Sequence, residues 1–396
     1  MTVNVSKPAI NLREKLAELD KPTGIAGEAM LRAETVPDQA ELLGYRQQNV
    51  IINGDMQIAQ RGTSITGVSD GDYMLDRWRF NEAGPVVVTA SQSSDAPDGF
   101  SESLKIDVTT ADTTIGSTEY VFVEQRIEGY NIKHFASGTS KAKPHTLSFW
   151  VKSNVTGTYI AELRYVTSQL EASQAYTINQ ADTWEYKTVV FPPQTSDAPN
   201  YDNTDELRLF FYLGAGSARS GGSALSTTWT TTDNVRAVGQ VNAVDSTDNE
   251  WFVTGVQLVA GNYPDGLPFM HRSYGEELAL CQRYYYRING NSENNTLLCV
   301  GQGTSTANVI GNIPFPVTMR ARPTDLEKSG TASDYLMANA SGTAQDCTTG
   351  PSLNVKTSEH IAAVLFVSTG NSAQGEARQL LLDDTTNSFL SWSAEL

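Results

Sequence analysis

The chain lacks any apolar run long enough to cross a bilayer as a helix. One of its longer runs, residues 361–367, is far shorter than the ~20 residues that a spanning helix needs. The first residues also lack the apolar core of a secretory signal. We therefore expect no membrane insertion, and we expect the protein to accumulate in the cytoplasm of the cell that makes it.

Basic charge is also scarce. The 28 Lys and Arg residues stand against 45 Asp and Glu residues, which gives a formal net charge of −17. Binding to a nucleic-acid duplex requires clustered basic side chains that contact the phosphates. The composition therefore argues against a nucleic-acid partner.

Motifs for catalysis and for metal binding are missing. There is no Gly-x-Ser-x-Gly elbow, no phosphate-binding glycine loop and no His-Glu-x-x-His. The histidines are isolated from one another and the cysteines have no paired spacing, which favours free buried thiols: His134, His145, His271, His360, Cys281, Cys299 and Cys347. We expect no enzyme activity, no cofactor and no bound metal.

Acidic loops leave two alternatives open, for example the loop that carries Asp70 and Asp72. A pair of carboxylates that meet in space would suit glycoside cleavage. Oxygen-rich loops would suit Ca²⁺. Neither alternative has a sequence motif behind it.

The body of the chain shows the period of β-strands. Leu207, Leu209, Phe211 and Leu213 occupy every second position, and turn residues separate such segments repeatedly among 31 glycines. A short helix near residues 276–286 interrupts the pattern, which then resumes as far as residue 396. These features predict a mainly β fold built from antiparallel sheets.

Residues 1–48 differ from the rest because they read as short helices. Apolar side chains lie at near-helical spacing up to Pro22, and a second short helix follows: the candidate attachment residues are Ile10, Leu12, Leu16, Leu19, Met30 and Leu31. A helix of about ten residues is marginal alone in water, so it must dock on something. Either it packs on its own downstream domain, or it anchors the chain to other subunits; we favour the anchor.

Several segments resemble a known class of proteins. They are a Gly-Val-Gln-Leu followed by Pro-Phe-x-His-Arg-x-Tyr-Gly-x-Glu-Leu-Ala-Leu-Cys-Gln-Arg-Tyr-Tyr within residues 251–287, and residues 49–62, 73–78, 124–130 and 147–153. Together they resemble the carbohydrate-binding-module-like β-sandwich of bacteriophage virion fibres, especially those of marine and cyanobacterial phages. The resemblance implies a jelly roll. Residues 313–323 resemble a segment common in the same proteins, and we expect a second β domain to start there.

These observations predict three parts: an N-terminal attachment and oligomerisation arm (1–48), a jelly-roll-like β-sandwich (49–283) and a smaller C-terminal β domain (284–396). The resemblance implies a virion structural protein, most simply a tail fibre that joins a tail adaptor or nozzle by its arm and displays its β domains to host-surface glycans. It also implies a homotrimer. The alternatives are a head fibre or capsid decoration protein, and a glycan-depolymerising tail spike.

Two aromatic residues in predicted loops are candidates for glycan binding. Tyr201 lies among Pro, Asn and Asp residues, and Trp229 lies in a Ser/Thr-rich stretch. A flat ring flanked by amides and carboxylates suits the apolar face of a sugar. The alternative is that both rings cover an edge of the sandwich or a neighbouring subunit. Four other tryptophans fall in strand patterns and are expected in the core: Trp78, Trp150, Trp184 and Trp251.

Overall fold

The chain is mainly β, which confirms the fold class expected from the alternating patterns. The computed structural model describes residues 48–290, 295–339, 341–370, 372–383 and 388–396. The arm residues Ile10, Leu12, Leu16, Leu19, Met30 and Leu31 lie outside these ranges. Residues 49–396 form one unit by their contacts, and none of the described helices is long and apolar enough to cross a membrane.

The first part of the described chain is a jelly-roll-like sandwich of two antiparallel sheets. Its strands are β1 (Ser64–Val68), β2 (Trp78–Ala83), β3 (Val87–Ser93), β4 (Ser103–Thr110), β5 (Tyr120–Glu128), β6 (His145–Ser153), β7 (Gly157–Tyr165), β8 (Leu170–Ile178), β9 (Glu185–Phe191), β10 (Asp205–Ala215) and β11 (Glu250–Ala260). Among the described residues, one sheet has six strands in the order β1-β3-β4-β11-β6-β9. The other has five in the order β2-β5-β10-β7-β8.

The sandwich core follows from the alternation within its strands. Leu147, Phe149 and Val151 of β6 are buried between the sheets, because successive side chains of a strand point to opposite faces. Trp78 and Trp251 are also buried there, as expected. Trp150 and Trp184 were expected in the core, and this is wrong: both are partly exposed.

The outer face of the five-stranded sheet is covered by residues 216–241. This segment contains the short helix α1 (Ser217–Ser220) and a 3₁₀ turn at Asp233–Val235, and another 3₁₀ segment, Gly129–Phe135, follows β5. Ala237 packs with rings that point outward from the sheet, which form a small core of their own: Phe122, Phe210 and Tyr212. The covering segment is therefore part of the packed structure.

The second part begins with helix α2 (Tyr274–Gln282). The side chain of Ser273 accepts from the amide of Glu276, while the Glu276 carboxylate accepts from the amide of Ser273, so a capping box starts this helix. The strands that follow are β12 (Tyr285–Asn289), β13 (Thr296–Gly303), β14 (Asn308–Pro314), β15 (Glu327–Lys328), β16 (Tyr335–Ala338), β17 (Ala344–Asp346), β18 (Thr349–Leu353), β19 (Ile361–Val367), β20 (Ala377–Leu382) and β21 (Phe389–Ser393), with a 3₁₀ turn at Ala332–Asp334.

These strands form two further antiparallel sheets around a second core. Among the described residues, the orders are β12-β21-β15 and β17-β16-β20-β13-β14-β19-β18. Phe366, Leu380 and Trp392 are buried between them. A polar junction joins this part to the sandwich: the Tyr284 hydroxyl donates to Glu128 Oε2 at 2.7 Å, and Arg283 pairs with the same carboxylate. The predicted division near residue 283 falls at this junction, and the domain boundaries stay a prediction.

Candidate functional site

A groove of about 730 Å³ lies on the outer face of the six-stranded sheet. Its floor consists of Ser148 and Trp150 of β6 and Tyr186 of β9. One wall is the loop at residues 98–100, and the other is the loop at residues 265–271. Together with Gly255 of β11, five separate parts of the chain thus form a single concave surface.

The floor follows from strand parity. Because Leu147, Phe149 and Val151 face the core, Ser148 and Trp150 between them must face outward. Trp150 lies opposite Tyr186 in the β6–β9 pair, and the two ring centroids are 5.3 Å apart at an angle of 52°. Tyr186 is 38% exposed. Two adjacent rings therefore face solvent on a strand scaffold.

The first wall is fixed by β11. The hydroxyl of Thr254 donates to the Glu102 carbonyl oxygen at 2.7 Å. Gly255 adopts φ +62°, and a Cβ atom there would lie 2.7 Å from the Phe100 ring and 3.2 Å from Trp150. Glycine is therefore needed for Phe100 to lie beside the floor.

The second wall is fixed by Gln257, also on β11. The amide of Met270 donates to Gln257 Oε1 at 2.8 Å, and Gln257 Nε2 donates to the Pro268 carbonyl oxygen at 3.4 Å. The Tyr186 hydroxyl donates to the Leu267 carbonyl oxygen at 3.2 Å. The floor and this wall are thus joined by hydrogen bonds.

Three aromatic side chains close one end of the groove. The centroids of Phe100 and Phe269 lie 5.2 Å apart in an edge-to-face arrangement, and His271 lies 4.8 Å from Phe269 and 5.2 Å from Phe100. Asp98 and Asp265 supply exposed carboxylates among the lining residues. The groove therefore offers ring faces together with hydrogen-bond acceptors.

A second aromatic cluster on the same outer face is already in contact with charged side chains of this chain. The Lys152 ammonium lies 4.2 Å from the centroid of the Phe252 ring and 5.6 Å from that of Trp184. Trp184 Nε1 donates to Asp95 Oδ1 at 2.9 Å, and the hydrogen bond from Lys152 lowers the pKa of the Asp95 carboxyl. Trp184 thus contacts both members of the Lys152–Asp95 ion pair, whereas Trp150 lines the groove.

Tyr201 and Trp229, the predicted glycan-binding residues, do not line this groove. The contacts of both side chains lead to Tyr165. Both are half-buried against the sandwich core. Trp229 Nε1 donates to the Pro192 carbonyl oxygen at 2.8 Å, and its ring centroid lies 5.2 Å from that of Tyr165. The Tyr201 hydroxyl donates to the Ser137 carbonyl oxygen at 3.4 Å, and the Ser137 hydroxyl contacts that of Tyr165. Both rings have internal partners, and their role in glycan binding stays a prediction.

Sequence reasoning missed the residues of the groove. A usable signal was present at Trp150, because β6 alternates Leu, Phe and Val with Ser, Trp and Lys, which places a large ring on the polar face. Nothing in the sequence brings residues 98–100 and 265–271 to that ring. As to metals, the described ranges contain no group of three or more His, Cys, Asp or Glu side chains that could hold an ion.

No family model matches the chain, and no curated protein matches it. Solved structures similar to it include the enzymatically active domain of tailspike protein 4 of bacteriophage CBA120 (15% identity, TM-score 0.29, 53% of this chain and 21% of that one). Others are TmCBM61 in complex with β-1,4-galactotriose (10%, 0.26, 54% and 99%) and a putative sugar binding protein from Bacteroides thetaiotaomicron (14%, 0.31, 54% and 100%). The chain spans about a fifth of the length of the tailspike chain.

Proposed function

We propose that this chain is a bacteriophage virion structural protein that binds a host-surface glycan in the groove over Trp150 and Tyr186. The single observation that carries the proposal is the exposed pair of rings at the bottom of a groove of about 730 Å³. A ligand pocket combines apolar ring surface with a few placed polar groups. The ring faces suit the apolar face of a pyranose, and Asp98 and Asp265 can accept hydrogen bonds from its hydroxyls.

The experiment that tests glycan binding uses defined oligosaccharides. We would titrate the full chain with β-1,4-galactotriose, xylohexaose and a mixed-linked β-1,3-1,4 tetrasaccharide, and with polysaccharide extracted from the host surface. Trp150→Ala should weaken binding about tenfold or more, because a central ring that stacks on the ligand carries much of the affinity.

The matched control is Trp229→Phe, which keeps an aromatic ring on the sandwich core. It should leave the affinity unchanged. Loss of binding in Trp229→Phe with full binding in Trp150→Ala would place the site at Tyr201 and Trp229 instead. If the protein binds no member of the panel and no host extract, the proposed function is wrong.

We further propose that the groove binds glycans without cleaving them. Asp98 and Asp265 are both exposed, whereas the general acid of a glycosidase is kept protonated by an apolar environment. Incubation with host polysaccharide should therefore release no reducing ends. Release that disappears in Asp98→Asn or Asp265→Asn would support a depolymerising tail spike.

The place in the particle is proposed as the tail, with residues 1–48 as the attachment arm. The support is the resemblance of residues 49–62, 73–78 and 251–287 to virion fibres. Immunogold labelling of intact particles should mark the tail, whereas labelling of the head would favour a head fibre or a capsid decoration protein. A chain that lacks residues 1–48 should stay soluble and fail to join particles.

A further inference from the structure

The seven-stranded sheet has one face that packs on the second core and one that points away from it. Leu380 and Leu382 of β20 are in that core, so Leu381 points away. Val309 and Ile313 of β14 are in the core as well, which places Ile310 between them on the opposite face. We call this opposite side the outer face of the seven-stranded sheet.

The outer face carries no charged side chain on its five central strands, all within the described ranges. Register between the strands assigns its members: Leu297, Val300, Gln302, Asn308, Ile310, Asn312, Pro314, Leu336, Ala338, Ile361, Ala363, Leu365, Val367, Ala377, Gln379 and Leu381. Charges appear only beside this group, for example Asp346 on the edge strand β17 and Lys356 in a neighbouring turn.

The outer faces of both sheets of the sandwich, in contrast, carry charged side chains. On the six-stranded sheet, Lys105 pairs with Glu250 at 2.5 Å. On the five-stranded sheet, Glu124 pairs with Arg79 and Arg126. In a chain of net charge −17, five adjacent strands without a charged side chain on one face are a local departure from the rest of the surface.

This face exposes two large apolar side chains on β13, whereas Leu336, Ala338 and Leu381 on its β16 and β20 side are buried. Leu297 is 54% exposed and Val300 is 60% exposed. Val300, Ile310 and Ala377 line a groove of about 450 Å³, in which Lys356 is the charged residue. Exposed apolar side chains next to one another mark an interaction surface more often than a solvent-facing one.

We propose that the outer face of the seven-stranded sheet binds the same face of a second copy of this chain. Two copies of an acidic protein repel each other, and a contact between identical faces brings like charges together. A contact centred on the uncharged strands keeps like charges apart, and the core of an interface is depleted in charged residues. The proposal is independent of glycan binding, since the groove over Trp150 lies on another sheet.

The area of the face determines how strongly two copies are expected to associate. Five strands cover roughly 20 by 20 Å, or about 400 Å² per copy, at ordinary strand spacing and rise. This area is an upper limit, because Leu336, Ala338 and Leu381 are already buried. That is small for a stable complex, so we expect weak, concentration-dependent association, with a dissociation constant of about micromolar or higher.

Sedimentation equilibrium of the full chain over a range of concentrations tests this proposal. The natural chain should show reversible association, and Val300→Lys should raise the dissociation constant about tenfold or more, because an ammonium group would be buried without a partner. The matched control is Thr177→Lys on β8, an exposed strand position of the sandwich that gains the same charge. It should associate as the natural chain does.

Gln302→Lys serves as a second variant, because Gln302 is polar and exposed and its replacement leaves the apolar packing intact. It should weaken association in the same direction, which separates an effect on the face from an effect on folding. A natural chain that stays monomeric at every concentration would overturn the proposal. So would equal association constants for the natural chain, Val300→Lys and Gln302→Lys.

Discussion

The two outer faces of the sandwich carry similar aromatic content and treat it in opposite ways. On the five-stranded sheet, Phe122, Phe210 and Tyr212 are buried beneath residues 216–241. On the six-stranded sheet, Trp150 and Tyr186 form the floor of an open groove. An aromatic ring on a sheet face therefore indicates a binding site only when no segment of the same chain covers it.

We call the outer face of the five-stranded sheet the covered face and that of the six-stranded sheet the open face. The covered face is stabilised by buried charge as well as by apolar packing. Arg236, from the covering segment, places Nη2 2.6 Å from Glu162 Oε1 and Nε 3.0 Å from Glu162 Oε2. Its Nη1 lies 3.1 Å from Glu171 Oε1. All three side chains are buried. The open face instead carries exposed pairs such as Lys105–Glu250, which contribute little to stability.

The largest expected effect comes from breaking this buried ion pair. Arg236→Met should lower the free energy of unfolding by about 3–5 kcal/mol, because the buried Glu162 would lose its counter-charge and Glu171 would keep only Arg164. Urea unfolding measures the loss. Lys105→Met on the open face is the control, and it should cost about 1 kcal/mol or less. Equal losses in the two variants would contradict the difference we draw between the faces.

The next effect concerns the pH dependence of the covered face. Burial, followed by the charge of Glu162, raises the pKa of Glu171 to about 7, above the ordinary value of 4.5 for a glutamate. The folded state therefore binds this proton more tightly than the unfolded state does. The resulting stabilisation is full below pH 4.5 and is lost as the pH rises through about 7.

Unfolding free energies at pH 5 and pH 8 test this expectation. The natural chain should lose up to about 3 kcal/mol more between these values than Glu171→Gln does. Other raised carboxyls, such as those of Asp55 and Asp76, remain in both proteins and cancel in the comparison. Parallel pH profiles for the two proteins would show that Glu171 is ionised as readily in the folded state as in the unfolded state.

The sequence predicted the strands and sheets better than it predicted which outer face is covered, and the reason is physical. Alternation in β6 and β10 shows which residues share a side of a strand, and burial of Leu147 and Leu207 agrees with it. Alternation does not show what covers the other side. Glu162 and Arg236 are 74 positions apart, so the cover over the five-stranded sheet has no local signal.

The candidate site was hidden by the same limitation. Trp150 was expected in the core because it lies in a strand pattern. Its neighbour Phe149 occupies the core side of the strand, however, so the side chain of Trp150 points to the other face. Tyr201 was chosen because it lies among Pro, Asn and Asp residues, and Trp229 because it lies in a Ser/Thr-rich stretch. Hydrogen bonds nevertheless tie both side chains to backbone carbonyls. Ring exposure depends on contacts between distant segments, which a single sequence does not reveal.

The smallest expected effect sharpens the description of the open groove. Gly255→Ala introduces a methyl group that would lie 2.7 Å from the Phe100 ring, at a residue with φ +62°. We expect a loss of about 2 kcal/mol from strained backbone and displaced ring together. Glycan affinity should fall as well, because Phe100 forms one wall of the groove.

Gly67→Ala separates these two causes. Gly67 has a similar φ of +70°, but nothing lies within 4 Å of a Cβ atom built there. It should therefore show the cost of backbone strain alone, about 1 kcal/mol, with no change in binding. The difference between the two variants then measures how firmly Phe100 is held beside Trp150. If Gly255→Ala and Gly67→Ala unfold alike and bind alike, Phe100 moves freely and the groove on the open face is not a preformed site.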